Sequence, residues 1–179
     1  DLTGGADSRA IFDSGSNLTI SSVSDFFCFV GLKVKKFKNR TSAGLIGSNQ
    51  THVDTDFPIF RLADAYLMYA ELAAKGVGSK ATARGYINTL RTRANAAAIT
   101  SDADVTLDFV LDERARELYW EGHRRQDLIR NNKFSGSTKL WQWKGNSLNG
   151  ASIDAKYNLY PIPQTELNTN SNLTQNAGY

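Results

Sequence analysis

LDERARELYWEGHRRQDLIR (residues 111–130) is the stretch of this 179-residue chain that says most about its fold. Leu111 and Leu118 belong to an apolar stripe at helical spacing, and charged residues fall on the same face at three- and four-residue intervals. Charges on a packing face are tolerated only when they are paired. The pattern therefore predicts a structural charge network whose members are Arg114, Glu117, Glu121 and Arg124.

The same stretch belongs to a predicted long third helix, which begins near Thr106 and runs through residue 131. Within it, Arg114 is expected to pair with Glu117 one turn further on. Gly122 is expected to bend or end the helix, because glycine weakens a helix interior. A second expected pair joins Glu121 to Arg124 or Arg125.

Two shorter helices are predicted upstream of this long one. In residues 59–75, Glu71 and Lys75 are one turn apart and form a favourable ion pair, and the buried side is expected to comprise Leu62, Ala63, Tyr66, Leu67 and Ala70. The sequence GVGS (residues 76–79) makes a turn, and Ser79 is a suitable N-cap for the second helix. The buried stripe of that helix is expected to comprise Ala83, Ile87, Leu90 and Ala94. Two antiparallel helices of this size form a hairpin.

The remainder of the chain completes the expected fold class. Residues 1–57 are rich in Gly, Ser, Thr, Asn and Asp with short apolar runs, as in irregular structure with a few strands. The predicted fold is mainly α, with a helix hairpin, a long third helix, irregular loops and a few short strands. We expect an irregular, loop-rich segment over residues 1–57 and a helical region with a tail over residues 58–179.

Composition and spacing argue against several functional classes. The net charge is only +3, and the basic run KVKKFKNR (residues 33–40) alternates like a solvated strand, so no nucleic-acid partner is expected. Glu117 is spaced from Glu113 and Glu121 as the carboxylates of a glycosidase are. Neighbouring arginines would keep these carboxylates ionised, which opposes the raised pKa of a general acid. No catalytic residue is therefore predicted.

Motifs for metals and cofactors are also missing from the sequence. His123 and Asp127 stand four residues apart without a third ligand at helical spacing, so no metal site is predicted. No phosphate-binding loop, nucleophile elbow or paired C-x-x-C occurs. No cofactor is therefore expected.

LWQWKGN (residues 140–146) is the segment most suggestive of a ligand. In an extended conformation Trp141 and Trp143 would share one face and Lys144 the other. Exposed indoles could form a flat surface on which a sugar ring stacks, beside polar neighbours; we call this the platform. Buried indoles would instead fill space in the hydrophobic core; we call this the plug. The plug is favoured, with Trp143 the more buried indole. The candidate ligand-binding residues are Trp141, Trp143, Lys144 and Asn146, with Asn149 as a further polar neighbour.

Several blocks of the sequence resemble one protein family. In order, FPIFRLADAYLMYAEL, YINTLRTRAN, LDERARELYWEGHRRQDLIR, LYPIP and NLTQNAGY are similar to the C-terminal portion of the SusD/RagB family, over residues 57–179. ADSRA and GLKVKKFKN extend the resemblance more weakly into residues 1–56. The departures are Ala177, where the family usually has proline, and Ser171, where proline often follows the asparagine.

The resemblance implies the C-terminal part of a mostly helical fold with tetratricopeptide-like helix pairs. It also implies a surface-exposed lipoprotein of the outer membrane that captures oligosaccharide or polysaccharide and works with a SusC-like TonB-dependent transporter. Members of the family are binders rather than enzymes, and the lipid anchor and most of the aromatic glycan-binding arc are expected upstream of this chain. The W-x-W-K-G pattern with NLYPIP resembles the starch-type branch, so malto-oligosaccharide is the first expected ligand.

An alternative from another functional class is a helical protein–protein interaction module without glycan specificity. Tetratricopeptide arrays bind partners in a groove built from several helix pairs. Only one hairpin is evident here, so glycan capture is the favoured interpretation.

Overall fold

The computed structural model describes residues 5–14, 19–20, 22, 31–41, 43–49 and 51–179. The chain divides into two compact units. The first, which we call the helical unit, is formed by Asp1–Ile20 and Phe27–Arg124. The second, which we call the C-terminal unit, is formed by Ser21–Phe26 and Arg125–Tyr179.

Three helices and a two-stranded ladder make up the described part of the helical unit. The helices are α1 (Leu62–Ala74), α2 (Lys80–Arg93) and α3 (Leu107–Glu117), and a short 3-10 turn at Asp102–Asp104 precedes α3. Strands β1 (Phe12–Ser14) and β2 (Leu32–Val34) pair in antiparallel fashion. The predicted mainly α fold with a few short strands is confirmed.

The predicted hairpin is formed by α1 and α2. Ser79 caps α2, since its side chain accepts a hydrogen bond from the Thr82 amide at 3.2 Å. The predicted pair between Glu71 and Lys75 is present, with 2.8 Å between the charged atoms. The predicted buried stripe of α2 is confirmed and comprises Ala83, Ile87, Leu90 and Ala94.

The buried face of α1 differs from the predicted one at its start. Leu62 is 66% exposed, because the helix turns its row of small residues and Leu67 towards α2 and α3. Glu71, which was expected on the polar side, is buried. The buried residues of α1 are Ala63, Leu67, Ala70, Glu71 and Ala73. Alanines on this face let the helices approach closely.

The predicted long third helix is wrong, because the segment forms two helices. Helix α3 ends at Glu117, and α4 (Arg124–Arg130) begins after an irregular turn. In this turn Trp120 has φ 62° and Gly122 has φ 80°, both in the left-handed region that a right-handed helix does not accept. Gly122 was correctly expected to interrupt the helix, but the interruption begins earlier, at Leu118.

In the C-terminal unit, side-chain hydrogen bonds join the LYPIP segment to the last residues of the chain. The unit contains α5 (Gln164–Thr169) and short 3-10 turns at Lys144–Asn146 and Ala155–Asn158. The two prolines of LYPIP lack N–H groups, so this segment cannot complete a regular ladder. Instead, the Gln175 side chain bonds both the amide and the carbonyl of Ile162, at 2.8 and 2.9 Å. The final residue, Tyr179, donates its hydroxyl to the Leu159 carbonyl at 2.9 Å.

None of the helices in the described part of the chain has both the length and the apolar composition needed to cross a bilayer.

Candidate functional site

The glutamates of α3 stand at the centre of a buried cluster of charges in the helical unit. The side chains of Glu113 and Glu117 are 0% and 1% exposed. Their partners come from four separate segments of the chain. We call the whole group the ion-pair cluster; its members are Asp7, Arg9, Lys36, Arg61, Arg91, Arg93, Glu113, Arg116, Glu117 and Glu121.

Glu113 is bound by three guanidinium groups. Arg9 Nη1 donates to one carboxylate oxygen at 2.8 Å. Arg91 Nη1 and Arg116 Nε donate to the other, at 2.7 and 2.9 Å. Because Arg9 also binds Asp7 through two further bonds, this part of the cluster continues to the start of the described chain.

Glu117 is likewise surrounded by arginines. Arg93 Nη2 lies 2.7 Å from both of its carboxylate oxygens, and Arg61 Nη1 and Arg9 Nη1 lie 3.0 and 3.2 Å away. Arg61 also reaches Glu121 with two bonds of 2.8 Å. The Arg61 guanidinium therefore links two consecutive glutamates of the segment.

Lys36 completes the cluster from the β2 side. Its ammonium binds the Glu121 carboxylate and donates to the Tyr119 carbonyl at 3.0 Å. It also lies 4.8 Å from the centre of the Tyr119 ring, within cation–π range. Lys36 thus holds the turn that follows α3.

Of the predicted charge network, Arg114, Glu117 and Glu121 are buried and Arg124 is partly exposed, and the pairing differs from the predicted one. Arg114 is 3% exposed and pairs with Asp64 of α1 at 2.8 Å, and Glu117 is bound by arginines from other segments. Arg124 does not pair with Glu121, whose partners are Lys36 and Arg61. Arg124 instead donates to the Leu111 carbonyl at 2.7 Å. The break after α3 explains the second difference, because Glu121 and Arg124 no longer share one helix.

Sequence reasoning assigned none of the six basic members of the cluster to the predicted charge network. Each of them nevertheless lies in one of the conspicuous blocks: Arg9 in ADSRA, Lys36 in GLKVKKFKN, Arg61 in FPIFRLADAYLMYAEL, and Arg91 and Arg93 in YINTLRTRAN. Buried carboxylates on α3 require cationic partners, and these blocks hold the cations. This need for cationic partners was the signal in the sequence from which the arginines and Lys36 could have been predicted.

The cluster keeps the carboxylates of Glu113 and Glu121 ionised. Burial alone would raise the pKa of Glu113, but the charges and hydrogen bonds of Arg9 and Arg116 outweigh it and hold that pKa below its usual value. Glu121 behaves in the same way: burial opposes ionisation, and Arg61 and Lys36 lower its pKa. A general acid needs a raised pKa, so the arrangement suits a structural role.

An open cleft of about 890 Å³ lies beside this cluster in the helical unit. Phe12, Phe109 and Tyr119 contribute aromatic walls to it. Arg91 and Arg116 also line it, each with its guanidinium carbon 5.7 Å from the centre of the Phe109 ring. Both arginines are already bound to Glu113. The cleft therefore presents aromatic side chains and guanidinium groups that are already paired.

The tryptophan segment of the C-terminal unit forms a tight turn. The extended conformation considered for this segment is not adopted, because Trp143 has φ 67°, Gly145 φ 61° and Asn146 φ 59°, all left-handed. The turn is closed by the Trp143 amide, which donates to the Ser147 carbonyl at 2.9 Å. Gly150 packs so closely that a Cβ there would lie 2.5 Å from the Trp141 carbonyl oxygen.

Lys144 occupies the interior of this turn. It is 2% exposed, and its ammonium donates to the carbonyls of Gly136 and Lys139 at 2.8 and 2.7 Å. The same ammonium lies 4.7 Å from the centre of the Trp141 ring. Burial lowers the pKa of Lys144. The ammonium therefore supports the turn and the Trp141 indole, and contact of Lys144 with a ligand stays a prediction.

The two tryptophans differ in exposure. Trp141 is 38% exposed, and Trp143 is partly buried, as the predicted order of burial requires. Asn146 and Asn149 are both exposed. Contact of Trp141, Trp143 and Asn146 with a ligand stays a prediction.

Among the residues that the structure describes, His, Cys, Asp and Glu side chains form no group of three or more that could hold a metal ion.

Comparison with known proteins identifies the family. The model of the SusD family matches residues 25–179. The starch-binding protein SusD of Bacteroides thetaiotaomicron is 46% identical over 149 residues, which are 83% of this chain and 26% of that protein. The SusD-like protein P25 of Formosa agariphila is 43% identical over 77 residues, 40% of this chain and 14% of that protein. This chain thus spans about a quarter or less of the length of these relatives.

Solved structures of SusD-like proteins are also similar to this chain. A SusD superfamily protein from Bacteroides vulgatus has a TM-score of 0.69 and 26% identity, covering 99% of this chain and 37% of that one. Surface glycan-binding protein A from Bacteroides thetaiotaomicron has a TM-score of 0.60 and 26% identity, covering 75% of this chain and 29% of that one. The resemblance seen in the sequence blocks is confirmed, and the chain belongs to the SusD family.

Proposed function

We propose that the full-length protein binds a glycan at the cell surface for import through a SusC-like TonB-dependent transporter. Starch or malto-oligosaccharide is the proposed ligand. The observation that carries this proposal is the 46% identity to a starch-binding protein over 83% of the chain. A structural neighbour that is itself described as a surface glycan-binding protein supports the broader class.

The two units of the chain would contribute differently to this function. In the helical unit, the ion-pair cluster ties α3 to α1, α2 and the residues around β1 and β2, which provides a rigid support. In the C-terminal unit, the Trp141 indole is the candidate sugar contact, because Lys144 fixes its orientation while part of the ring stays open. A rigid, preoriented aromatic side chain binds with less loss of conformational entropy.

We further propose that the protein is a surface-exposed lipoprotein of the outer membrane and is a binder rather than an enzyme. The membrane would be reached through a lipid anchor. The paired, ionised state of Glu113 and Glu121 supports the absence of glycoside hydrolysis, since neither carboxyl group is disposed to donate a proton.

Affinity electrophoresis of the full-length protein tests the proposal. Gels that contain amylopectin, pullulan, xylan or dextran are compared with a gel that contains no polysaccharide. We expect retardation by amylopectin and pullulan, and no release of reducing ends during incubation with either. A transporter is expected to copurify after mild detergent extraction. Retardation by no polysaccharide, together with stable capture of a protein partner, would instead favour the helical interaction module.

A further inference from the structure

Trp120 has an unusual combination of backbone conformation and exposure. It lies in the turn after α3, has φ 62° and is 67% exposed. A bulky residue in the left-handed region carries strain of about 1–3 kcal/mol, whereas glycine adopts this conformation readily. With so much of the ring in solvent, burial of the indole provides little compensation. Local stability therefore does not explain why tryptophan stands at this position.

The neighbours of Trp120 impose the strained conformation. Tyr119 is anchored on one side, because its carbonyl accepts from Lys36 at 3.0 Å and its hydroxyl donates to the Arg9 carbonyl at 3.2 Å. Glu121 is anchored on the other side by its two bonds of 2.8 Å from Arg61. With both neighbours bound to the ion-pair cluster, the intervening residue is turned outwards. The backbone position of Trp120 is thus set by the buried contacts of its neighbours.

We propose that Trp120 is a stacking platform for a pyranose ring of the glycan. This inference rests on the proposed function and extends it to a second place in the chain, apart from the Trp141 turn. An indole offers a broad flat surface to the C–H face of a sugar. Because the backbone of this residue is already held by its neighbours, little backbone conformational entropy is lost when the sugar binds.

The chain neighbours of Trp120 favour a sugar over a protein partner. A tryptophan that anchors a protein interface is typically encircled by further contact residues that exclude water. Here both chain neighbours, Tyr119 and Glu121, are tied to the ion-pair cluster, and Gly122 has no side chain. A single projecting indole suits one sugar ring of a longer chain.

The substitution Trp120→Gly in the full-length protein separates binding from stability. Glycine relieves the strain, so the melting temperature should stay within about 2 °C of the parent or rise. Affinity for maltoheptaose, measured by isothermal titration, should fall about tenfold. Trp120→Phe keeps an aromatic face and should lose no more than about threefold. The matched control is Asn132→Gly, an exposed position with φ 54°, which should leave the affinity unchanged.

Each outcome decides the inference. Unchanged maltoheptaose affinity of Trp120→Gly, with the parent binding normally, refutes the role of Trp120 and leaves the proposed function intact. A fall of several degrees in melting temperature refutes it as well, because the indole would then be a packing residue in the full-length protein. Absence of binding by the parent to every α-glucan refutes the proposed function, and the sugar assignment of Trp120 with it.

Discussion

Arg9 Nη1 lies 2.8 Å from Glu113 Oε1, although 104 residues separate the two along the chain. The contact joins the segment before β1 to the centre of α3. Because the Glu113 side chain is fully buried, its charge depends on this arginine together with Arg91 and Arg116. A long-range ion pair of this kind links the irregular part of the helical unit to its helices.

Removal of the buried charge at Glu113 should destabilise the helical unit strongly. Glu113→Gln leaves three guanidinium groups without their shared carboxylate, and we expect a loss of ~3–5 kcal/mol in the free energy of unfolding. Urea denaturation followed by circular dichroism measures it. The control Glu166→Gln changes an exposed carboxylate of α5 and should stay within about 0.5 kcal/mol of the parent. Equal stability of the two variants would show that the cluster does not support the fold.

The same carboxylates should make the protein sensitive to acid. The pKa values of Glu113 and Glu121 are held below the ordinary value of 4.5, so the unfolded chain takes up protons at a higher pH than the folded chain. This contribution to stability is complete above pH 4.5 and is lost as the pH falls through the lower folded pKa values. Urea midpoints across pH 3 to 7 measure the effect. Glu121→Gln should flatten the acid limb of this profile, and an unchanged profile would contradict the assignment.

The sequence pattern predicted the hairpin and the burial of charge on α3, because both depend on local spacing. Ala83, Ile87 and Leu90 recur at helical intervals, and that period alone determines which side is buried. The partners of the charges depend on which distant segments meet. Arg114 was therefore paired with Glu117, one turn further along the same helix, whereas in the folded chain it reaches Asp64 of α1.

Lys144 should be required for the tryptophan turn. Lys144→Met keeps the length of the side chain but leaves the carbonyls of Gly136 and Lys139 without their donor, and we expect a loss of ~2 kcal/mol. Thermal melting followed by tryptophan fluorescence reports on both the stability and the surroundings of Trp141. The control Gln142→Met alters an exposed residue of the same turn and should have little effect. If the two variants melt alike, the ammonium does not hold the turn.

Substitution of Trp143 should mainly affect stability, whereas substitution of Trp141 should mainly affect ligand affinity. Trp143→Ala removes a partly buried ring and should lower the free energy of unfolding by about 2–3 kcal/mol. It should have little direct effect on the affinity for maltoheptaose. Trp141→Ala should cost less stability and reduce the affinity of the full-length protein for maltoheptaose. Thermal melting and titration on the same two variants provide the comparison. If Trp141→Ala cost more stability and Trp143→Ala more affinity, Trp143 would be the sugar contact and Trp141 the packing residue.

The geometry of this turn was beyond the reach of sequence reasoning for a specific physical reason. Alternation along an extended segment assumes ordinary strand dihedral angles, and Trp143 adopts a left-handed conformation that large side chains rarely take. Its energy is compensated by contacts with residues outside the segment, such as the bond from Lys144 to Gly136. The same holds for Trp120, whose conformation depends on the bonds of Lys36 and Arg61 to the residues beside it.

Isothermal titration of maltoheptaose into the full-length protein tests the central claim, glycan capture, most directly. We expect saturable heats that fit a defined number of sites, with cellohexaose as a control of similar size and different linkage that gives no signal. Saturable binding of maltoheptaose alone would support the assignment to α-glucans. The absence of heat with maltoheptaose at millimolar concentration, from a protein shown to be folded by its melting curve, would contradict it.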